Sequence, residues 1–180
     1  MHKWERDSPI WNKYTHLDPI ANNLDMNVEH LSQLKNGDSI QRQHYNHDTG
    51  RVDPPTQIIP KKTIIHEGLH ALYGDINRIS NLSIFIETDE TLKRQWKINR
   101  DTVKRGYTQQ EVEDTLKRRQ KDEELYIEPQ KNNADTIIYF KDRDDGYVSL
   151  EYECITQQNI ELIKKIKTSY DRKRRNYLDF

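Results

Sequence analysis

Residues 63–70 read Thr63-Ile64-Ile65-His66-Glu67-Gly68-Leu69-His70, and two different folds can be written from them. The last five letters satisfy H-E-x-x-H. On a helix, His66 and His70 would face one way and hold Zn²⁺, with Glu67 as general base, which is the arrangement of a zinc peptidase. The flanks argue for something else. Thr63, Ile64 and Ile65 are β-branched and follow Pro60, so they read as a short strand. Gly68 would sit inside the supposed helix, at a cost of about 1 kcal/mol relative to Ala. Tyr73-Gly74-Asp75 breaks the helical pattern within a turn of His70, and neither Glu87 nor Asp75 sits in a recognisable motif for a third ligand. The strand reading places Glu67 at the carboxyl end of a strand, where layered α/β folds put their ligand sites. Gly68 then permits the close turn that follows. The strand reading is preferred, and the zinc peptidase is kept as the minor alternative.

Outward from this stretch, strands and helices alternate. Toward the amino end, residues 1–22 are polar, with Pro9 and Pro19 as breakers. Leu24, Val28, Leu31 and Leu34 recur at helical spacing, and Gly37 is placed to cap that helix. Residues 41–60 contain Asp48-Thr49-Gly50 and Asp53-Pro54-Pro55 and read as a long loop with turns, the kind that is functional when it occurs in a compact domain. Toward the carboxyl end, residues 82–86 form a second strand, and Asp89 to Arg105 a helix that stops before Gly106. Thr108 with Glu111 forms a capping box for the next helix, which Pro129 closes. Residues 134–140 and 147–154 are two further strands, joined through the turn Asp144-Asp145-Gly146, and residues 156–170 form a last amphipathic helix. Such alternation predicts an α/β layer fold.

The bulk numbers limit the function classes. The chain has 180 residues, of which 33% are hydrophobic and 33% charged, with a mean hydropathy of -1.10. The core is therefore thin. A formal net charge of -1 gives no global case for binding nucleic acid or a membrane. No apolar run approaches the ~20 residues of a membrane span, and the charged start has no apolar stretch behind it. The single cysteine, Cys154, excludes an internal disulfide and fits a reducing compartment. A cytoplasmic protein is the expectation.

Several segments, in order, carry a resemblance. They are Leu17-Asp18-Pro19 with Ala21-Asn22-Asn23 and Leu24-Asp25, then His44-Tyr45-Asn46-His47-Asp48-Thr49-Gly50 with Val52-Asp53-Pro54-Pro55. Ile65 to His70 follows, then Trp96-Lys97-Ile98-Asn99-Arg100-Asp101 with Arg105-Gly106-Tyr107, and finally Tyr126 to Lys131 with Ala134-Asp135. Each is weak alone, but as an ordered set the chain resembles the phosphoribulokinase/uridine kinase family, nearest to the plant and cyanobacterial type of phosphoribulokinase. The resemblance implies a P-loop kinase fold: a mostly parallel sheet lacking its first strand, a helical lid, and a C-terminal strand plus helix. It divides the chain into residues 1–140, the acceptor-binding and lid part, and 141–180, a C-terminal strand and basic helix.

The resemblance also implies roles. Glu67 becomes the carboxylate beside the Mg²⁺–nucleotide. Arg100, Asp101 and Arg105 become catalytic lid residues, with Lys97 as a substrate-binding cation. By spacing alone, these cations share a helix face, and a solvated, ion-paired surface would be the better reading. Phosphoryl transfer needs cations around the moving group, and the resemblance tips the reading to function. His2 and Arg6 match the pair that holds the acceptor's phosphate, and Tyr45, His47 and His70 are expected to line the acceptor pocket. The implied parent activity is ATP-dependent phosphorylation of ribulose 5-phosphate or a similar pentose phosphate, with Mg-ATP as cofactor.

One departure is large. The sequence contains no G-x-x-x-x-G-K-[ST], and the family's catalytic aspartate would fall just before Met1-His2. The chain is therefore expected to be N-terminally truncated, inactive in isolation and unable to hold the nucleotide tightly. The resemblance leaves room for a homo-oligomer or a complementing chain. The alternatives carried forward are a uridine or other nucleoside kinase, the zinc peptidase, and a non-catalytic remnant that binds a sugar phosphate or a partner.

Overall fold

The computed structural model describes residues 3–46, 48–142, 148–154 and 160–174, with the side chains of the last helix described through residue 169. The chain forms two compact units, Met1–Asn81 with Arg118–Gln130, and Leu82–Lys117 with Lys131–Phe180.

In the first unit, Asp18 caps a single 3-10 turn, Pro19–Ala21, by accepting the Ile20 N–H at 2.8 Å. Helix α1 (Leu24–Asn36) follows, as its apolar spacing predicts. It ends where Gly37 turns left-handed, at φ +96, and the Asp38 N–H closes on the Gln33 carbonyl. The segment expected to be a loop is instead two nested ladders. β1 (Ile40–Arg42) pairs antiparallel with β4 (Thr56–Ile58), and inside that pair β2 (Tyr45–Asn46) pairs with β3 (Arg51–Val52). Strands this short carry too little periodicity to be seen among Asp, Gly and Pro. The short helix α2 (Asp75–Ile79) completes the unit before residue 81. Leu17, Ala21, Leu34, Ile40, Leu72 and Ile76 are its buried apolar side chains.

The strand expected at residues 63–65 is not formed. The chain there is irregular, and Ile65 is 85% exposed. A strand is stabilised by a hydrogen-bonded neighbour, and no described strand pairs with this segment. Its β-branched composition records a tendency that pairing has not converted into structure.

In the second unit, β5 (Ile84–Thr88), β6 (Thr136–Asp142) and β7 (Val148–Cys154) form a three-stranded sheet in that order. β5 runs parallel to β6 and β7 antiparallel to it, so the sheet described is mixed rather than mostly parallel. Asp135 sets the start of the parallel pair by accepting both the N–H and the hydroxyl of Ser83 at 2.8 Å. Helix α3 (Glu90–Arg105) begins one residue after the expected start, because Asp89 is its cap and accepts the Thr91 N–H at 2.9 Å. It stops at Gly106, which is left-handed at φ +72. The capping box of the next helix forms as expected, with Glu111 accepting the Thr108 N–H and the Glu111 N–H returning to the Thr108 hydroxyl. That helix, α4 (Gln109–Asp122), continues as a π turn and then a 3-10 turn around Pro129, rather than regularly up to it. Helix α5 is Ile160–Arg174. Ile137, Ile138, Leu150 and Ile163 are buried. The predicted turn at Asp144–Gly146 lies outside the described residues. No described helix is long and apolar enough to cross a membrane.

Candidate functional site

The first unit contains a pocket of about 350 Å³. Tyr45, Glu67 and His70, singled out in the sequence, all line it. So do His66 and His16, and three residues that no motif marked: Trp11, Asn27 and Arg42.

Each wall has a local cause. Tyr45 lies on β2, in register with Val52. The tip of that hairpin is held by Asn46, whose side-chain oxygen accepts the N–H groups of Asp48 and Thr49, while the Gly50 N–H returns to its carbonyl at 2.8 Å. Gly50 is left-handed, at φ +73, and the Arg6 side chain presses against it so closely that a Cβ there would lie 2.8 Å from the Arg6 Cβ. Arg6 is thereby tied to the hairpin, is exposed, and is not part of the pocket wall. The Tyr45 ring stacks on Trp11 with centroids 5.4 Å apart, and Trp11 meets His16 edge-on at 5.0 Å.

The opposite wall is the turn that follows Glu67. Residues 66 and 67 are not helical and 68–73 form successive turns, so the two histidines do not sit on one helix face. No group of three His, Cys, Asp or Glu placed to hold a metal occurs among the described residues. The zinc-peptidase geometry is not formed. Gly68 has φ +152 and opens the turn. His70 is buried, with its Nε2 2.9 Å from the Leu17 carbonyl. Burial lowers the pKa of this ring, so the neutral form is favoured, and the carbonyl fixes the proton on Nε2. Only Nδ1 is left as an acceptor. Gln130, also buried, ties down the rest of the turn: its amide donates to the carbonyls of Leu69 and Tyr126 and its oxygen accepts the Leu72 N–H. Gln130 lies in the 126–131 segment of the resemblance but received no role from the sequence, because a glutamine before a strand has no signature of its own. Glu67 is exposed at the rim.

Cationic character enters through Arg42. Its guanidinium donates to the Asn27 Oδ1 at 2.9 Å, and Asn27 is buried on α1. His66 is half-buried, and burial first, then the charge of Arg42, holds its pKa below the usual histidine value.

The remaining predicted cations lie in the second unit, on α3. Asp101 is 7% exposed, accepts from Arg100 Nε at 2.8 Å and forms an ion pair with Arg105 Nη1 at 3.2 Å. Burial raises its pKa, but the Arg100 hydrogen bond and the charges of Arg100, Arg105 and Lys97 outweigh this and keep it below the ordinary carboxylate value. One carboxylate therefore organises two guanidinium groups. His2 and His47 lie outside the described residues.

With this geometry in hand, comparison with known proteins is informative. Residues 1–145 match the phosphoribulokinase / uridine kinase family. Phosphoribulokinase of Synechocystis sp. is 41% identical over 125 residues, covering 69% of this chain and 38% of that protein. Chloroplastic phosphoribulokinase of Spinacia oleracea is 32% identical over 173 residues, covering 92% and 43%. A uridine kinase of Staphylococcus aureus is 32% identical over 137 residues, covering 73% and 64%. Among solved structures, phosphoribulokinase from Rhodobacter spheroides superposes with a TM-score of 0.71 over 91% of this chain and 70% of that one. At 17% identity, this likeness shows the α/β P-loop kinase fold alone. The chain spans about two fifths of the length of the two phosphoribulokinases it matches here. On the match to residues 1–145, the chain belongs to the phosphoribulokinase/uridine kinase family.

Proposed function

We propose that the pocket of the first unit is the acceptor site of a phosphoribulokinase-like kinase, whose parent activity is ATP-dependent phosphorylation of ribulose 5-phosphate or a similar pentose phosphate. The observation that carries the reading is that Tyr45 from one quoted segment of the sequence and Glu67 and His70 from another line one pocket of a size suited to a small molecule. In this reading residues 1–140 are the acceptor and lid part, and residues 141–180 a C-terminal strand and basic helix. Tyr45 and His47 contact the acceptor. His70, with Nε2–H spent on Leu17, offers Nδ1 or orients the turn. His2 and Arg6 assist at the acceptor phosphate.

The residues fit a nucleotide-borne Mg²⁺. This ion is ordinarily held by one or two carboxylates together with phosphate oxygens and water, and Glu67, exposed at the rim, supplies one carboxylate. The bound ion would neutralise charge on the transferring phosphoryl group. Lys97, Arg100 and Arg105 keep the part of lid cations that the resemblance gives them, with Asp101 holding the two arginines. Without a G-x-x-x-x-G-K-[ST] loop in these 180 residues, the chain by itself is proposed not to turn over ATP and to bind nucleotide weakly at most. A nucleoside acceptor is the second reading, favoured by the Trp11–Tyr45 stack, which offers an aromatic wall to a base.

An NMR titration tests the choice. Ribulose 5-phosphate is expected to shift the resonances of Tyr45 and His66 in the high micromolar to millimolar range, at lower concentration than uridine does. Uridine acting first would replace the pentose phosphate with a nucleoside. Steady ADP release dependent on ribulose 5-phosphate from this chain alone would overturn the proposed inactivity.

A further inference from the structure

The end of helix α4 reaches the pocket through a series of hydrogen bonds. The first unit takes in Arg118–Gln130, so α4, which starts at Gln109, ends inside it. Asp122 is the last residue of that helix. Its half-buried carboxylate accepts the Thr15 hydroxyl, Oγ1 to Oδ2, at 2.6 Å, the short separation of a charge-assisted bond. The same Thr15 Oγ1 accepts the Leu17 N–H at 3.1 Å. The Leu17 carbonyl in turn accepts the His70 Nε2–H at 2.9 Å. Donation thus runs one way, from the His70 ring to the Asp122 carboxylate.

The carboxylate sets that direction. A hydroxyl has one proton and two lone pairs. With its proton committed to Asp122, the Thr15 oxygen is left to accept from Leu17, which fixes the local turn from Thr15 to Leu17. Leu17 and His70 are both buried, so the bond between them has no water to replace it. Directly after Asp122 the chain widens into the π turn Glu123–Ile127, a feature that recurs at functional sites. Gln130 then bonds to Leu69 and Leu72. Residues 122–130 therefore grip the pocket wall twice: Gln130 holds the backbone on both sides of His70, and Asp122 reaches its ring. From this geometry we infer that Asp122 is a positioning residue of the pocket, acting through Thr15 and Leu17 to keep the His70 ring in one orientation and one tautomer, with Nδ1 as its acceptor. The value of that ring to a ligand rests on the acceptor-site reading; the state of the ring does not.

The test uses the full chain, isotope-labelled at the histidine nitrogens, with the ring and its proton exchange with water followed by NMR. In wild type, His70 is expected to carry its proton on Nε2, with a resonance that persists against exchange. Thr15→Val keeps the shape of the side chain and removes the hydroxyl. It should speed exchange of that proton by about tenfold or more, as loss of a charge-assisted bond implies, and let both ring tautomers appear. Thr15→Ser returns the hydroxyl and should exchange within about twofold of wild type. Asp122→Asn keeps the bulk and loses the charge, and several-fold faster exchange is expected, which decides the matter if Thr15→Val fails to fold. A wild-type proton that exchanges freely, wild-type exchange in either folded variant, Thr15→Val or Asp122→Asn, or equal losses in Thr15→Val and Thr15→Ser would overturn the assignment. Ribulose 5-phosphate titrated into the same samples is expected to bind several-fold more weakly to Thr15→Val than to Thr15→Ser, and equal affinity would overturn the part of Asp122 in the pocket. If wild type binds no sugar while the ring behaves as described, the acceptor-site reading falls and the positioning of His70 by Asp122 stands.

Discussion

Replacing Gln130 by Leu should destabilise the first unit more than any surface change, and the size of the effect follows from the contacts. Gln130 is 4% exposed and makes three hydrogen bonds, accepting from Leu72 N–H at 3.1 Å and donating to the carbonyls of Leu69 at 2.9 Å and Tyr126 at 2.7 Å. The amide orientation is determined, because only one arrangement puts the oxygen on the N–H and the nitrogen between two carbonyls. Leucine has similar bulk and offers those three backbone groups only methyls. At about 1 kcal/mol net per bond, with an added penalty for backbone groups kept from water, the loss comes to roughly 3–5 kcal/mol. Small domains have about 5–15 kcal/mol in total. Urea unfolding should show a midpoint lower by about 2 M if the slope is about 2 kcal/mol per molar. Because the same bonds hold the turn after Glu67, the resonances of His70 should move in the folded variant as well. A midpoint shift under about 0.5 M would refute the view that this glutamine holds the turn in place.

Four further outcomes are expected. His30, His66 and His70 all have pKa values lowered chiefly by burial, so the unfolded chain takes up protons first. Stability of the first unit should be full above the ordinary histidine value of about 6.5 and fall as the pH drops below it, and urea midpoints that stay level from pH 8 to pH 5 would contradict this. Protein purified without chelators should carry no stoichiometric zinc by elemental analysis; about one zinc per chain, lost in the His66→Ala, His70→Ala double variant, would revive the peptidase. Arg100→Ala and Arg105→Ala should each weaken ribulose 5-phosphate several-fold, with added salt weakening wild type in the same direction, whereas calorimetry giving unchanged affinity would return these residues to the solvated surface. Ile64 and Ile65 are exposed on a segment with no described strand neighbour, and exposed apolar residues on unpaired segments promote association. Sedimentation should therefore show association that rises with concentration and is reduced in Ile65→Lys, and a monomer at all concentrations would exclude it.

What could be read from the sequence depended on whether the signal was local. The helices were legible at their ends because caps act within a few residues: Gly37 and Gly106 stop α1 and α3, Asp89 starts α3, and Thr108 with Glu111 starts α4. The three strands of the second unit were legible to within two residues because each is a continuous apolar or alternating run. Strands β1 to β4 were not, since two- and three-residue ladders are set by their partners rather than by their own composition. The segment 63–65 shows the reverse error, a composition suited to a strand with no described neighbour to pair with. In the pocket, Tyr45 was found through resemblance, while Glu67 and His70 stood out in the 63–70 stretch and took their roles from the resemblance. Arg42 was visible only as the residue two beyond the buried Ile40, and Asn27 lay hidden on the helical face read as apolar.

The pocket is held by directional polar contacts more than by apolar bulk, and this explains how a sequence with 33% hydrophobic residues can define a site. Apolar contacts are cohesive but orient poorly, so a thin core leaves a turn such as 68–73 free to settle in several ways. Three polar links remove that freedom. Leu17 fixes the His70 ring, Gln130 fixes the backbone at Leu69 and Leu72, and Asn27 fixes the Arg42 fork. Each anchor is buried or drawn from a neighbouring element, so each link loses its alternative partners in water and gains strength from the surroundings. Glu67 itself needs no such link: it leaves the wall at the rim, directly before the glycine that turns the chain, and its place follows from the turn being held on the far side. The paired strand expected before it is therefore not what positions the carboxylate; the contacts of residues 69–72 are.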